Sequence, residues 1–240
     1  MNFSSETRVK DIALSHPASK RVLEEARVDY CCGGEKSLQE ACIHAGVDSE
    51  EILKRLRENS QHVNPSDANW TVSPLSDLTA HIKSHHHKYV REAILRINPL
   101  LEKVKAKHGE HHAELAEIET SFHGVGREMI MHMQKEEHIL FPYIEAIDRA
   151  ANGEGILEPP FFQTVKNPIH AMMKEHGAAE DLVRQIRKAS AEYAAPADAC
   201  ASYKALLQEL HQFELDLHQH VHLENNILFP RAVELESAVV

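Results

Sequence analysis

A chain of 240 residues is long enough for one large domain, or a medium domain with a small companion, and can bury a real core. Its 37 acidic against 26 basic residues give a formal net charge of −11, which repels nucleic acid and anionic lipid, so a polyanion partner is not expected. The opening MNFSSETRVK has no apolar signal core, and no stretch approaches the roughly 20 apolar residues of a membrane span, so a soluble, cytoplasmic protein is expected.

Residues 1–60 hold short amphipathic segments, VKDIALSH, PASKRVLEEAR, SLQEACIHAG and DSEEILKRLREN, broken by DYCCGG. Ser37 with Glu40 and Asp48 with Glu51 have capping-box spacing and mark helix starts. The four cysteines, Cys31, Cys32, Cys42 and Cys200, form no C-x-x-C pair, and adjacent Cys31 and Cys32 can join only through a strained ring. Free thiols in a reducing compartment are expected. Ahead of Gly33 and Gly34, a turn leaving both sulfurs accessible before a helix start would make Cys31 and Cys32 nucleophiles or soft ligands, whereas Cys42 and Cys200 read as packing residues. The stretch 61–73, with two asparagines and the only Trp, carries neither helical nor strand period and reads as a linker.

Residues 74–240 carry four long segments of 3.6-residue periodicity, near 74–106, 110–148, 163–192 and 198–234, which predict an all-α, antiparallel four-helix bundle behind a small helical N-terminal domain. Ser73 followed by Pro74 reads as a cap and a first-turn proline.

Within the bundle, HMQKEEHILFP from His132 returns as HVHLENNILFP from His220, 220 − 132 = 88 residues later. On a helix His132 and Glu136 share one face, as do His220 and Glu224, so each pair can reach one metal centre. Pro142 and Pro230 are expected to end or kink their helices. Each preceding helix supplies a further histidine at a matched distance: His87 at 132 − 87 = 45 and His176 at 220 − 176 = 44. This match selects His87 from the run His85, His86, His87. His81 and His170, each six residues earlier, repeat the pattern, so the unit is a helical hairpin used twice.

Four imidazoles and two carboxylates would therefore converge from His87, His132, Glu136, His176, His220 and Glu224. Such a mixed set suits iron, zinc, copper or nickel rather than calcium or magnesium, and two carboxylates are suited to bridging two ions. Two irons with an oxo or hydroxo bridge would leave about two positions open for a small molecule. A ferritin-like site needs Glu-x-x-His, and no Glu here has a His three residues later. A bis-histidine haem would leave Glu136 and Glu224 unexplained. Glu175, His81 and His170 are candidates for residues that orient the ligands. His108, His111, His112, His123, His138, His211, His218 and His222 lie off the matched pattern and read as non-ligands.

These residues resemble hemerythrin-like proteins, and more closely the bacterial iron-sulfur cluster repair di-iron family, in which a D-Y-C-C-G-G module, here Asp29–Gly34, precedes a bundle with H-x-x-x-E-x-x-I-L-F-P and L-E-N-N-x-L-F-P. The resemblance covers nearly the whole chain. It implies two non-haem irons on the six residues above, with Glu136 and Glu224 bridging. It further implies a stress-response protein that restores iron-sulfur clusters damaged by nitric oxide or peroxide by supplying iron. Damaged iron-sulfur proteins, small molecules such as nitric oxide or oxygen, and a second copy of the chain are the implied partners. Reduction of nitric oxide at the di-iron site and hemerythrin-type oxygen or redox sensing are the competing readings, so enzymatic activity is left open. The pattern has one histidine fewer than oxygen-carrying hemerythrins use.

Overall fold

The computed structural model describes residues 3–15, 17–59 and 70–239. Every regular element among them is helical, the one extended feature being an isolated antiparallel bridge between Arg8 and Ser37. The chain divides into two compact units, one of residues 1–73 with 221–227 and the other of 74–220 with 228–240. Of the expected linker at 61–73, residues 61–69 lie outside the described residues.

The first unit contains α1 (Val9–Ser15), α2 (Pro17–Glu25), α3 (Leu38–Ala45) and α4 (Ser49–Asn59). Apolar residues at helical spacing, such as Ile52, Leu53 and Leu56, meet Ile12, Leu23, Tyr30 and Leu38 in one small core. Helix α3 starts where the sequence places its capping box: Ser37 Oγ accepts from Glu40 N at 3.2 Å, and Glu40 Oε2 accepts from Ser37 N at 3.0 Å. It stops at Gly46, whose φ of 70° is the left-handed conformation that glycine adopts without strain. At α4 the cap is simpler, Asp48 Oδ1 accepting from Glu50 N at 3.1 Å.

Hydrogen bonds from the Ser37 backbone N–H and hydroxyl hold the Glu40 carboxyl below its ordinary 4.5. A carboxyl with a lowered folded-state pKa stabilises the fold above its unfolded value and loses that contribution as pH falls through the folded value. Ser37→Ala removes the side-chain cap of α3 and is expected to cost about 1 kcal/mol near neutral pH. Urea denaturation checks this, with the difference between variant and parent shrinking on acidification below the ordinary carboxylate range.

The Asp29–Gly34 turn is held from within the same unit. Asn226 Nδ2 donates to the Tyr30 carbonyl at 2.9 Å and Asn225 Nδ2 to the Cys31 carbonyl at 3.3 Å. A Cβ at position 34 would sit 2.7 Å from Asn226 Oδ1 and 3.0 Å from the Tyr30 carbonyl, so only glycine fits this approach. The paired asparagines of L-E-N-N and the second glycine of C-C-G-G are thus two sides of one contact.

From Leu75 onward the described chain forms four helical legs. The first is α5 (Leu75–Ile82) and α6 (Lys88–His108), joined by a π-helical turn at Lys83–His87. The second is α7 (Glu114–Lys135) and α8 (Phe141–Ala151), joined by a π-turn at Glu136–Leu140; the third is α9 (Lys166–Ala189). The fourth, α10 (Ala201–Leu223) and α11 (Phe229–Val239), passes through a π-turn at Glu224–Leu228. Helix α7 packs against α6 and α9, and α8 against α5 and α11. Ile97, Leu101, Ile118, Phe122, Val125, Leu206 and Phe213 are fully enclosed in the bundle core.

Two local expectations are corrected here. Pro142 and Pro230 do not end their helices, because the π-turn just before each shifts the hydrogen-bond register that a proline would break. Phe141 N reaches five residues back to Glu136 O, and Pro142 enters the first turn of α8, where a missing N–H costs nothing. Pro74 is likewise not a first-turn residue: it stands at the cap with extended ψ of 145°, its carbonyl accepting from Leu78 N at 3.3 Å.

Candidate metal centre

Each leg of the bundle brings a ligand-type side chain to one interior position. His87 closes the first π-turn, Glu136 opens the second, and Glu224 opens the third one turn after His220; His132 lies a turn before Glu136, and His176 lies within α9. All six are at most 1 % exposed. They form two groups, His87, His220, Glu136 and Glu224, and His132, His176, Glu136 and Glu224, within each of which the ligand atoms lie no more than 4.8 Å apart. Both carboxylates belong to both groups. Glu136 divides its oxygens, Oε2 lying 3.4 Å from His87 Nε2 and Oε1 3.3 Å from His132 Nε2.

The outer ring nitrogens determine what the inner ones offer. His87 Nδ1 donates to Glu137 Oε1 at 2.7 Å, and His132 Nδ1 donates to Glu175 Oε2 at 3.0 Å. A neutral imidazole whose Nδ1 carries the proton turns an Nε2 lone pair inward. His87 Nε2 is buried there with no hydrogen-bond partner, and His132 Nε2 and His176 Nε2 face each other at 3.0 Å. Imidazole nitrogens gathered this closely around two fully buried carboxylates make a pocket of donors whose burial is offset when cations occupy the space between them. The donor set therefore fits a pair of first-row transition-metal ions, with the carboxylates shared between them.

The two outer carboxylates are held ionised. Glu175 is brought down to about 2 by its hydrogen bond from His132, against the opposing effect of burial, with Lys135 assisting. Burial raises the Glu137 carboxyl, but Arg91 and His87 outweigh it and the net shift is downward. Both carboxylates stay anionic at neutral pH and keep the Nδ1 protons of their histidines in place. Replacing either with Gln is expected to lower metal affinity by about 10–100-fold, as loss of such an orienting partner typically does. A competition titration of iron against a chromophoric chelator measures it; parental affinity in both variants would refute this control of the tautomers.

The apolar part of the repeat has a local task as well. Phe141 stacks on His87 with centroids 5.6 Å apart, and Phe229 stacks on His176 at 6.1 Å. Both rings are buried and set an apolar surface against one ligand-type histidine each.

Of the sequence candidates, the structure gathers His87, His132, Glu136, His176, His220 and Glu224, and leaves out His85 and His86. His85 is exposed beside Ser84, and His86 Nδ1 is 2.9 Å from Asp216 Oδ1. Glu175 does orient a ligand, His81 lies beside His85 and His86, and His170 is exposed. Sequence reasoning missed Glu137 and Arg91; Glu137 has no counterpart in the second copy of the repeat, where Asn225 stands. Its adjacency to Glu136 was the only signal.

Cys31 and Cys32 belong to neither of these two groups. The expected open pair before a helix is not what forms. Cys31 is 4 % exposed and its Sγ donates to Asp29 Oδ1 at 3.4 Å, Cys32 is exposed, and the next helix begins only at Leu38. Asp29 Oδ1 accepts from both cysteine N–H groups, at 3.1 and 2.9 Å, and this organises the turn without a helix terminus.

Comparison with known proteins agrees with this geometry. Residues 78–232 match the hemerythrin HHE cation binding domain, and residues 5–60 match a domain of unknown function. The probable iron-sulfur cluster repair protein of Haemophilus influenzae is 32 % identical over 97 % of this chain and 99 % of its own length. The chain belongs to the iron-sulfur cluster repair family. A repair protein of Musicola paradisiaca is also 32 % identical, over 97 % of this chain and 98 % of its own, and one of Staphylococcus epidermidis is 26 % identical over 95 % and 99 %. In this repair-family chain the hemerythrin-type match contains all six gathered residues, so the centre lies in a cation-binding domain. Among the described residues of the repair-family chain, no helix is long and apolar enough to cross a membrane.

Proposed function

We propose that this protein holds two non-haem iron ions between Glu136, Glu224 and the four histidines, and supplies iron to iron-sulfur proteins whose clusters nitrosative or oxidative stress has damaged. The observation that carries the reading is the sharing of Glu136 between two histidine groups, supported by the repair function in the names of full-length relatives. When bound, an iron pair with an oxo or hydroxo bridge would supply exchangeable cations. His87 and His220 would hold one ion, and His132 and His176 the other. Glu137 and Glu175 keep the Nδ1 protons on the rings, so the Nε2 lone pairs remain directed inward. Phe141 and Phe229 set apolar surfaces against His87 and His176. Four histidines and two carboxylates would leave about two positions of an iron pair for small ligands, so iron would be held by few enough donors to leave. Cys32, exposed beside Cys31, is the soft group suited to take iron in transit, in the reducing cytoplasm where free thiols persist.

The test is restoration of activity to a nitric-oxide-damaged iron-sulfur dehydratase by the purified, iron-loaded protein, with no other iron supplied. Recovery with the native chain and none with the Glu136→Leu, Glu224→Leu variant is the expected result. No recovery with iron still bound would overturn the donor role.

A further inference from the structure

A second cluster of metal-binding side chains lies in the bundle unit, away from the centre above. His108 ends α6, His112 stands in the connector to α7, and Asp198 and Cys200 stand in the connector to α10. Along α6 the 108 − 87 = 21 residues from His87 correspond to roughly 30 Å of helix, so the two places are independent. Ligand atoms of His108, His112 and Asp198 lie within 4.8 Å of one another. His112 Nε2 is 3.1 Å from both Asp198 carboxylate oxygens, and Cys200 Sγ is 3.2 Å from His108 Nε2.

We propose that His108, His112, Asp198 and Cys200 form a binding site for a zinc-class divalent cation that ties the α6–α7 connector to the α9–α10 connector. Two imidazoles, a carboxylate and a thiolate are the donor types of tetrahedral zinc, and with both anions the site neutralises a divalent charge. Tetrahedral bonds to N, O and S ligands place the donors roughly 3.3–3.6 Å apart, and the His112–Asp198 and His108–Cys200 pairs stand at 3.1 and 3.2 Å. The outer nitrogen of one ligand is already held: His112 Nδ1 donates to Glu114 Oε1 at 2.8 Å, and Glu114 in turn accepts from Tyr203 OH at 3.2 Å. That chain fixes the ring with Nε2 toward the cluster, as carboxylates do at metal-bound histidines. His108 is buried, whereas Asp198 is largely open to water, so an ion has a path in. Metal binding itself deprotonates a cysteine ligand, so Cys200 would enter the site as a thiolate. The H-x-x-x-H and D-x-C spacings lie outside the repeat, because this site joins the ends of the two hairpins rather than their matching faces.

Cobalt(II) added to the iron-loaded chain carrying Cys31→Ser and Cys32→Ser tests the site, because the di-iron position has no sulfur ligand. A thiolate-to-cobalt charge-transfer band with tetrahedral visible bands is expected, and it should vanish on addition of Cys200→Ser. No band in the first variant, or an unchanged band in the second, overturns the proposal. Asp198→Asn, at an exposed position outside any helix, is expected to weaken zinc at least about tenfold in competition with a chromophoric chelator. Unchanged zinc affinity would equally overturn it.

Discussion

On the proposed two-iron centre, Glu136→Leu is expected to reduce iron binding to one equivalent or fewer, a loss of affinity beyond about 100-fold, since removing a shared ligand costs more than removing an orienting partner. The same substitution should leave the iron-free protein as stable as the parent or more so. Glu136 is fully enclosed beside a second enclosed carboxylate, Glu224, and burying such charges without a cation is costly. Replacing buried ionic groups with apolar ones of similar volume is often neutral or stabilising by about 1–4 kcal/mol. The two effects have opposite signs, which separates a ligand from a packing residue. Metal analysis after gel filtration, together with thermal melts with and without iron, measures both. Full iron content, or an iron-free variant that melts well below the parent, would sink the assignment of Glu136 as a shared ligand.

Phe122→Ala is expected to destabilise the bundle by about 3–5 kcal/mol, the range for truncating a fully enclosed phenylalanine. Phe122 on α7 meets Phe213 on α10 edge-to-face, centroids 5.4 Å apart, and both rings are sealed from solvent. An alanine there leaves a cavity that rigid helices fill poorly, and the aromatic pair geometry is lost too. Guanidinium denaturation followed by circular dichroism reads the loss. Phe122 lies ten residues before His132, roughly 15 Å along the helix, so the folded variant should keep the parental iron content. Iron loss at unchanged stability would contradict the separation of core from centre.

The sequence by itself determined the four legs and the six residues of the centre, because both rest on local geometry. A residue and its neighbour four positions on share a helix face whatever the rest of the chain does. A motif copied at 88 residues, with partners 45 and 44 residues upstream, marks two hairpins that must present matching faces. The capping box at Ser37 and Glu40 was equally legible, since it involves only contacts three residues apart.

What only the tertiary structure decided depends on which faces meet. The repeat groups His87 with His132 and His176 with His220, yet the packed bundle pairs His87 with His220 and His132 with His176, across the hairpins. The hydrogen bonds that Glu137 and Glu175 accept from His87 and His132, which fix the ring tautomers, span 50 and 43 residues and follow no period. The π-turns at Lys83–His87, Glu136–Leu140 and Glu224–Leu228 are invisible to a 3.6-residue pattern, since one inserted residue re-aims the following turn without changing its composition. The His108, His112, Asp198 and Cys200 cluster lies beyond sequence reading for the same reason. Its members come from two connectors that only the packing of the legs brings to one place.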